Sequence, residues 1–303
     1  MTDMVPSERA RELVRDGFDP HVHVAPDFAP RRITDLELAQ RCLELGLAGF
    51  GLKSHYTATV ERAAVVTAAL PGIRALGTIT LNHAVGGLNA TAVEVAARQG
   101  ARIVWLPTVS SENEFHEVEE ADPDGKVPVW VRFELELRAA GVKPKPVPVL
   151  DRGKPVPELR EVLEVIAAHD IVLATGHLSR AEIPVVVDAA VEAGVNTIVV
   201  THPEFPSQQV PVSVQRELAA KGALMERAFT TPYTGKCSWD DVFAATRAVG
   251  AANTVWGSDL GQVFNPPVED GLAIMADHFL AAGFSDEEVR TMAVANTRRL
   301  AGV

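Results

Sequence analysis

Eight short apolar runs, each followed by a stretch of helical periodicity, restrict what this chain can fold into more than any other feature. They fall at 18–24, 47–54, 74–82, 101–107, 170–176, 196–201, 222–228 and 253–258. Several are apolar at nearly every position, the pattern of parallel strands covered on both faces. Between them, a Thr34/Glu37 capping box opens a helix with Leu36, Ala39 and Leu43 on its apolar face and Gly46 as its stop. A Ser285/Glu288 box opens the last helix, where Val289, Met292 and Leu300 turn inward. Further helices are expected near 57–70, 89–99, 157–169, 180–193, 211–221, 239–249 and 268–282. This alternation specifies an α/β fold, a closed (β/α)8 TIM barrel, with a doubly wound open sheet as the alternative. The whole chain, 1–303, fits one such barrel.

The connection after the fourth strand, 108–156, exceeds an ordinary βα loop several-fold. It holds an acidic stretch (SENEFHEVEEADPDG), a short helix at 129–140, and two Pro-rich extended arms that predict an exposed hairpin around Asp151-Arg152-Gly153. In a barrel this insertion lies over the C-terminal mouth, as a lid or as a contact between copies in a homo-oligomer. A linker between domains is the other reading.

A net charge of −12 argues against nucleic acid or an anionic membrane as partner, since phosphate binding needs clustered Lys and Arg. It leaves small-molecule substrates, anionic ones included, open. The N-terminal MTDMVPSERARELVRDGFDP has no apolar leader core, and no later run is long enough to span a bilayer. Cys42 and Cys237 have no metal-type spacing and no need to pair, which suits the cytoplasm.

The functional signal is the placement of histidines. Six of the nine, His21, His23, His55, His83, His177 and His202, fall at or just beyond the C-terminal end of a predicted strand. Asp259 holds the same position after the eighth. Barrel active sites are built from these strand ends. His21 and His23, two apart on a strand, present two imidazoles to one face, where both can reach one ion. Asp259 adds an oxygen ligand that can also serve as a base toward water. Any one of these histidines could be an ordinary hydrogen-bonded residue; a set of them around one mouth points to a metal.

At this point the chain resembles the amidohydrolase superfamily. GFDPHVHV is similar to its first-strand H-x-H, ATGH and VVTHPE to its fifth- and sixth-strand histidines, WGSDLG to its eighth-strand aspartate, and ANTRRLAG to its closing helix. The resemblance implies that His21, His23, His177 and Asp259 hold a metal. It implies that His202 binds a second ion or the attacking water, whose proton Asp259 takes. One feature departs from the binuclear pattern. The fourth strand ends Trp105-Leu106-Pro107-Thr108, without the bridging carboxylated lysine or glutamate.

Lys53, two residues before His55, faces the same way and reads as a partner for an anionic substrate or oxyanion, with carboxylation or simple solvation as alternatives. His55 and His83 are extra to the common set: ligands of a second ion, or acids and donors to substrate. Of Glu226 and Arg227, one faces the barrel interior and the other the helices. His116, His169 and His278 read as solvated or structural. The glycines of NHAVGGLN suit a turn that offers N–H groups to an anion. Trp105, Phe115, Phe205, Tyr233 and Phe264 are expected on mouth loops.

The leading expectation is a metal-dependent hydrolase that uses metal-activated water on an amide, cyclic amide, lactone or related ester. One or two divalent ions are expected, zinc first, with manganese or iron as alternatives. A mononuclear non-oxidative decarboxylase and a phosphoesterase of the PHP type are competing enzyme classes. A metal store or catalytically dead binding barrel is the non-enzymatic one.

Overall fold

The computed structural model describes residues 5–303 except 121, 123–126 and 143, and leaves the side chains of 117 and 119 undescribed. Part of the acidic stretch therefore lies outside the described residues. In chain order the strands are β1 (Phe18–Val22), β2 (Gly49–Leu52), β3 (Arg74–Thr80), β4 (Ala101–Trp105), β5 (Leu150–Asp151), β6 (Lys154–Pro155), β7 (Val172–Ala174), β8 (Ile198–Val200), β9 (Leu224–Ala228) and β10 (Thr254–Gly257). Eight of them form one sheet in the order β1-β2-β3-β4-β7-β8-β9-β10, with every ladder parallel. This is the expected (β/α)8 barrel, and β7 to β10 are its fifth to eighth strands.

Closure between β1 and β10 is lighter than the other ladders. It consists of a parallel bridge between Val22 and Leu260, with His23 N–H donating to Leu260 O at 2.7 Å and Asp259 N–H to His21 O at 2.8 Å. Asp19 adds a side-chain link, its Oδ1 accepting from the N–H of Ser258 and of His21. Inside the barrel Ile103, Val172, Val199, Leu224 and Val255 pack with Leu300 from the last helix, giving a filled core beneath the mouth. Asn296 holds that helix to the barrel floor, donating from Nδ2 to the carbonyls of Ala251, Ala252 and Thr254.

Both predicted capping boxes are present, and Gly46 ends the Asp35–Leu45 helix in the left-handed conformation. The buried face of that helix differs from expectation: Leu38, Ala39 and Cys42 are buried, Leu43 partly, and Leu36 is exposed. Val289, Met292 and Leu300 are buried as predicted, along a closing helix that passes through a π-turn at Thr291–Ala295.

In the insertion, β5 and β6 form the antiparallel hairpin, with Arg152 and Gly153 both at positive φ in its turn. The predicted short helix is Val129–Ala139. An unpredicted one, Glu112–Glu119, occupies the acidic stretch. Ser111 caps it by accepting from Glu114 N–H, and Phe115 and Val118 bury a face three residues apart, so a local cap and two apolar contacts outweigh the charge. Among the described residues, no helix is long and apolar enough to cross a membrane.

Candidate active site at the barrel mouth

Five of the six strand-end histidines form a closed ring of imidazoles. The centroid separations run His21–His23 5.4 Å, His23–His55 5.0 Å, His55–His177 6.0 Å, His177–His202 5.0 Å and His202–His21 6.2 Å. His21 is fully buried and His23 and His202 nearly so, while His55 and His177 keep a partly exposed edge on the open side of the ring. Trp105 forms its floor, 4.6 Å from the His21 ring. Phe205 stands over the other side, 4.9 Å from His202, and Lys236 lies on its outer face.

Backbone geometry aims these side chains. His202 (φ 25°) and Asp259 (φ 54°) both adopt the left-handed region that non-glycine residues avoid, a strain that the surrounding packing must hold. Two glycines let the chain pass. A Cβ on Gly261 would lie 1.5 Å from the His23 carbonyl oxygen, and one on Gly176 would lie 2.3 Å from the Leu106 oxygen.

Asp259 Oδ1 lies 3.2 Å from His21 Nε2 and 3.1 Å from His23 Nε2, while Thr230 Oγ1–H donates to Oδ2 at 2.8 Å. Ligands at ~2.0–2.1 Å from one zinc ion sit roughly 3.3 Å apart in a tetrahedron, so this spacing suits a shared ion. His23 Nδ1 is buried without a hydrogen-bond partner. His21, His23 and Asp259 could therefore hold a metal ion.

Around the donors stands a second set of partners. His21 Nδ1–H donates to Glu226 Oε1 at 2.9 Å, which leaves Nε2 facing the site, where Lys53 Nζ lies 2.9 Å away. The other oxygen of Glu226 accepts from His202 N–H. His202 Nδ1 pairs with Gln208 Oε1 at 2.9 Å, and Gln208 donates onward to Gly176 O. His177 Nδ1 is 3.3 Å from Glu114 on the insertion's first helix, and His55 Nδ1 is 2.8 Å from Thr108 Oγ1. This pattern of imidazoles backed by carboxylate, amide and hydroxyl partners is what fixes ring orientation in metal sites.

The electrostatics follow from burial. It pushes His23 and His55 well below their ordinary range and His202 down to about 3, so these rings are neutral and free to donate lone pairs. Burial brings Lys53 down to about 8. Burial pulls against ionised Asp259 and Glu226, yet the adjacent His21 holds both below the usual carboxylate range, with His23 adding to the effect on Asp259. Burial opposes a charged His21 too, as does Lys53, but Glu226 and Asp259 together outweigh them and hold it above its ordinary value.

A family model described as "Family of unknown function (DUF6282)" matches residues 16–226. The chain belongs to this family. The matched span contains the DUF6282 chain's imidazole ring, Lys53, Glu114 and Glu226; Asp259 lies beyond it. No curated protein matches. Among solved structures, the probable dipeptidase PvdM from Pseudomonas aeruginosa aligns at TM-score 0.63 and 11% identity over 97% of both chains. An amidohydrolase from the same organism aligns at TM-score 0.61 and 13% identity over 99% of this chain and 100% of its own. The TatD homologue YJJV from Escherichia coli K12 gives 0.56 and 13% over 95% and 98%. At such identities the likeness is one of fold, an amidohydrolase-type barrel.

Several DUF6282 residues stand elsewhere than the sequence suggested. His83 is outside the imidazole ring, on the short 3-10 turn His83–Val85, with Nε2 3.1 Å from Glu134 of the insertion. Glu226 faces inward, and Arg227 faces the helices, bonding to Glu204, Gln215 and Thr246. The Gly86 and Gly87 N–H groups donate to the His83 and Asn82 carbonyls, so they are not offered to an anion. Trp105 ends β4 and is buried inside the barrel, and Phe115 is buried on its helix; neither lies on a mouth loop. Tyr233 packs on Phe229 and Phe264 is exposed, so of the five expected mouth-loop aromatics Phe205 is the one that meets the histidines from a loop. His116 is exposed on a helix, His169 pairs with Glu94, and His278 stacks on Trp239. Sequence reasoning missed Glu114, Gln208 and Thr230, whose only signal was proximity to the strand ends in a fold not yet built.

Proposed function

We propose that this chain is a metal-dependent hydrolase acting on an amide, cyclic amide, lactone or related ester bond of a small molecule. The observation that carries this reading is the convergence of His21 Nε2, His23 Nε2 and Asp259 Oδ1 at the C-terminal mouth of the barrel, enclosed by three more neutral imidazoles. Two of the proteins with a similar fold, a probable dipeptidase and an amidohydrolase, agree with it.

His21, His23 and Asp259 would hold a divalent ion, zinc being the first expectation for an imidazole-rich site, and it would supply Lewis acidity toward a carbonyl and toward water. Asp259, ionised and oriented by Thr230, takes the proton of the attacking water. Lys53 places its nitrogen beside His21 over the Trp105 face, 4.3 Å from the ring centroid, where an ammonium stabilises charge developing on the carbonyl oxygen. His202 and His177 flank the water or hold a second ion with His55. His83, held by Glu134 at the rim, contacts substrate rather than metal. The insertion, through Glu114, braces the mouth as a lid.

The test is metal analysis of the purified protein with a turnover screen over amides, lactones and esters. Stoichiometric divalent metal and hydrolysis that chelation abolishes and metal restores are expected. A metal-free protein that takes up no ion, or release of CO2 as the metal-dependent product, would overturn the assignment.

A further inference from the structure

The insertion carries a buried carboxyl of which the hydrolytic site, through His83, uses one oxygen. Glu134, on the Val129–Ala139 helix, is fully buried at 0% exposure. Its Oε1 lies 3.1 Å from His83 Nε2, and its Oε2 has no hydrogen-bond partner. Among the described residues no lysine or arginine pairs with it; the nearby guanidinium of Arg31 is closed on Asp27 at 2.6 Å. The hydroxyl of Tyr56 is a second buried polar atom without a partner.

The two orphans lie on neighbouring side chains. The Tyr56 ring is 5.0 Å from that of Phe133, the residue preceding Glu134, and Tyr56 is close enough to Glu134 that its charge, after burial, helps push the hydroxyl upward. Phe28 completes the wall, 4.4 Å from Tyr56 and 4.8 Å from Phe133. The place adjoins the reactive centre, because Tyr56 follows His55, whose ring stacks 5.0 Å from His23.

A bare carboxylate oxygen and a bare hydroxyl, both out of water, are costly to keep unless a ligand supplies donors. Ligand chemistry decides which. An anion is repelled by Glu134, and a neutral hydroxyl satisfies one atom but leaves the charge uncompensated. A protonated amine brings three N–H donors and a positive charge, and the negative faces of Tyr56 and Phe133 favour a cation beside them. We propose that Glu134 and Tyr56 form an ammonium-binding subsite beside the imidazole ring, which selects substrates carrying a free protonated amine near the bond to be cleaved. His83 fixes one oxygen of Glu134 and leaves the other for the ligand. This selectivity rests on the hydrolase reading for its meaning, although the binding it predicts does not.

The experiment uses the metal-loaded full chain, titrated calorimetrically with glycyl-L-leucine and with N-acetyl-glycyl-L-leucine, while turnover and metal content are recorded separately. The free-amine probe is expected to bind at least about tenfold tighter, the discrimination typical of one charged hydrogen bond. Glu134→Gln should erase that preference, and Tyr56→Phe should reduce it, both with unchanged metal content. Equal affinity for the two probes, a preference that survives Glu134→Gln, or no saturable binding of either probe overturns the subsite. If Glu134→Gln does not fold, Tyr56→Phe, which removes only the hydroxyl, decides: an unchanged preference overturns it. An amine preference in a protein without metal-dependent turnover would overturn the hydrolase reading and uphold the subsite.

Discussion

Glu226 accepts the Nδ1 proton of His21 at 2.9 Å, and so sets which nitrogen of that ring faces Asp259. A carboxylate behind an imidazole fixes its tautomer and raises its strength as a donor. Glu226→Gln keeps the shape but weakens both effects. Metal affinity, read by chelator competition, is expected to fall by roughly 10–100-fold. An unchanged affinity would show that His21 is oriented by something else.

His21→Ala with His23→Ala should remove the ion and all metal-dependent turnover while leaving the far-ultraviolet spectrum intact. The barrel interior is filled below the mouth by Ile103, Val172, Val199 and Val255, so the ligands contribute little to that core. A folded double variant that retains stoichiometric metal would reject both ligands.

Asp259→Asn retains a side chain that Thr230 can hold but takes away the charge that accepts a proton. A metal-replete variant is expected to lose about 10²–10⁴ in kcat, the usual effect of removing a general base. Near wild-type turnover at full metal loading would assign that proton to another group.

Asp19 gives a stability prediction. Burial raises its carboxyl from 3.8 to about 6, and Oδ2 is a buried atom without a partner. Between these two values the folded chain holds a proton that the unfolded chain has lost. Stability from this group is therefore full below the unfolded value of 3.8 and is lost as pH rises from there through about 6. The loss amounts to about 3 kcal/mol at about 1.4 kcal/mol per unit. Urea titrations of the metal-free protein should show Asp19→Asn gaining on the parent across that window. A constant difference between the two would refute the assignment.

His55→Ala and His83→Ala should part company. His55 stacks on His23, whereas His83 faces Glu134. His83→Ala is expected to leave the metal content unchanged and reduce catalytic efficiency. His55→Ala lowers the metal count by one if a second ion is bound. Loss of metal from the His83 variant would contradict its placement at the rim.

Much of this was legible in the chain, and for a physical reason. Strand ends of a parallel barrel all point one way, so placing eight runs was enough to gather His21, His23, His55, His177, His202 and Asp259 without knowing any contact. His83 escaped because its strand ends at Thr80 and the chain then enters a 3-10 turn, which rotates the side chain toward the insertion. Leu36 was placed on the buried face with Ala39 and Leu43 and is exposed, because an N-terminal capping box fixes where a helix starts but not how it rolls onto the barrel. Glu114 and Glu134 were hidden in a segment whose charge reads as solvent-facing. Their burial depends on how the insertion folds back over the mouth, and local patterning carries no record of that.

The light seam between β1 and β10 has a consequence for how the molecule keeps its shape. His21 and His23 stand on one side of that join and Asp259 on the other, so an ion gripping all three would latch the first strand to the last. Only the closed ring presents the three together, and binding would therefore draw the population toward closure by mass action, worth about 2.7 kcal/mol at a hundredfold excess over Kd. Starved of metal, the chain should breathe first at this join, with the amides of His23 and Asp259 exchanging ahead of those deeper in the sheet.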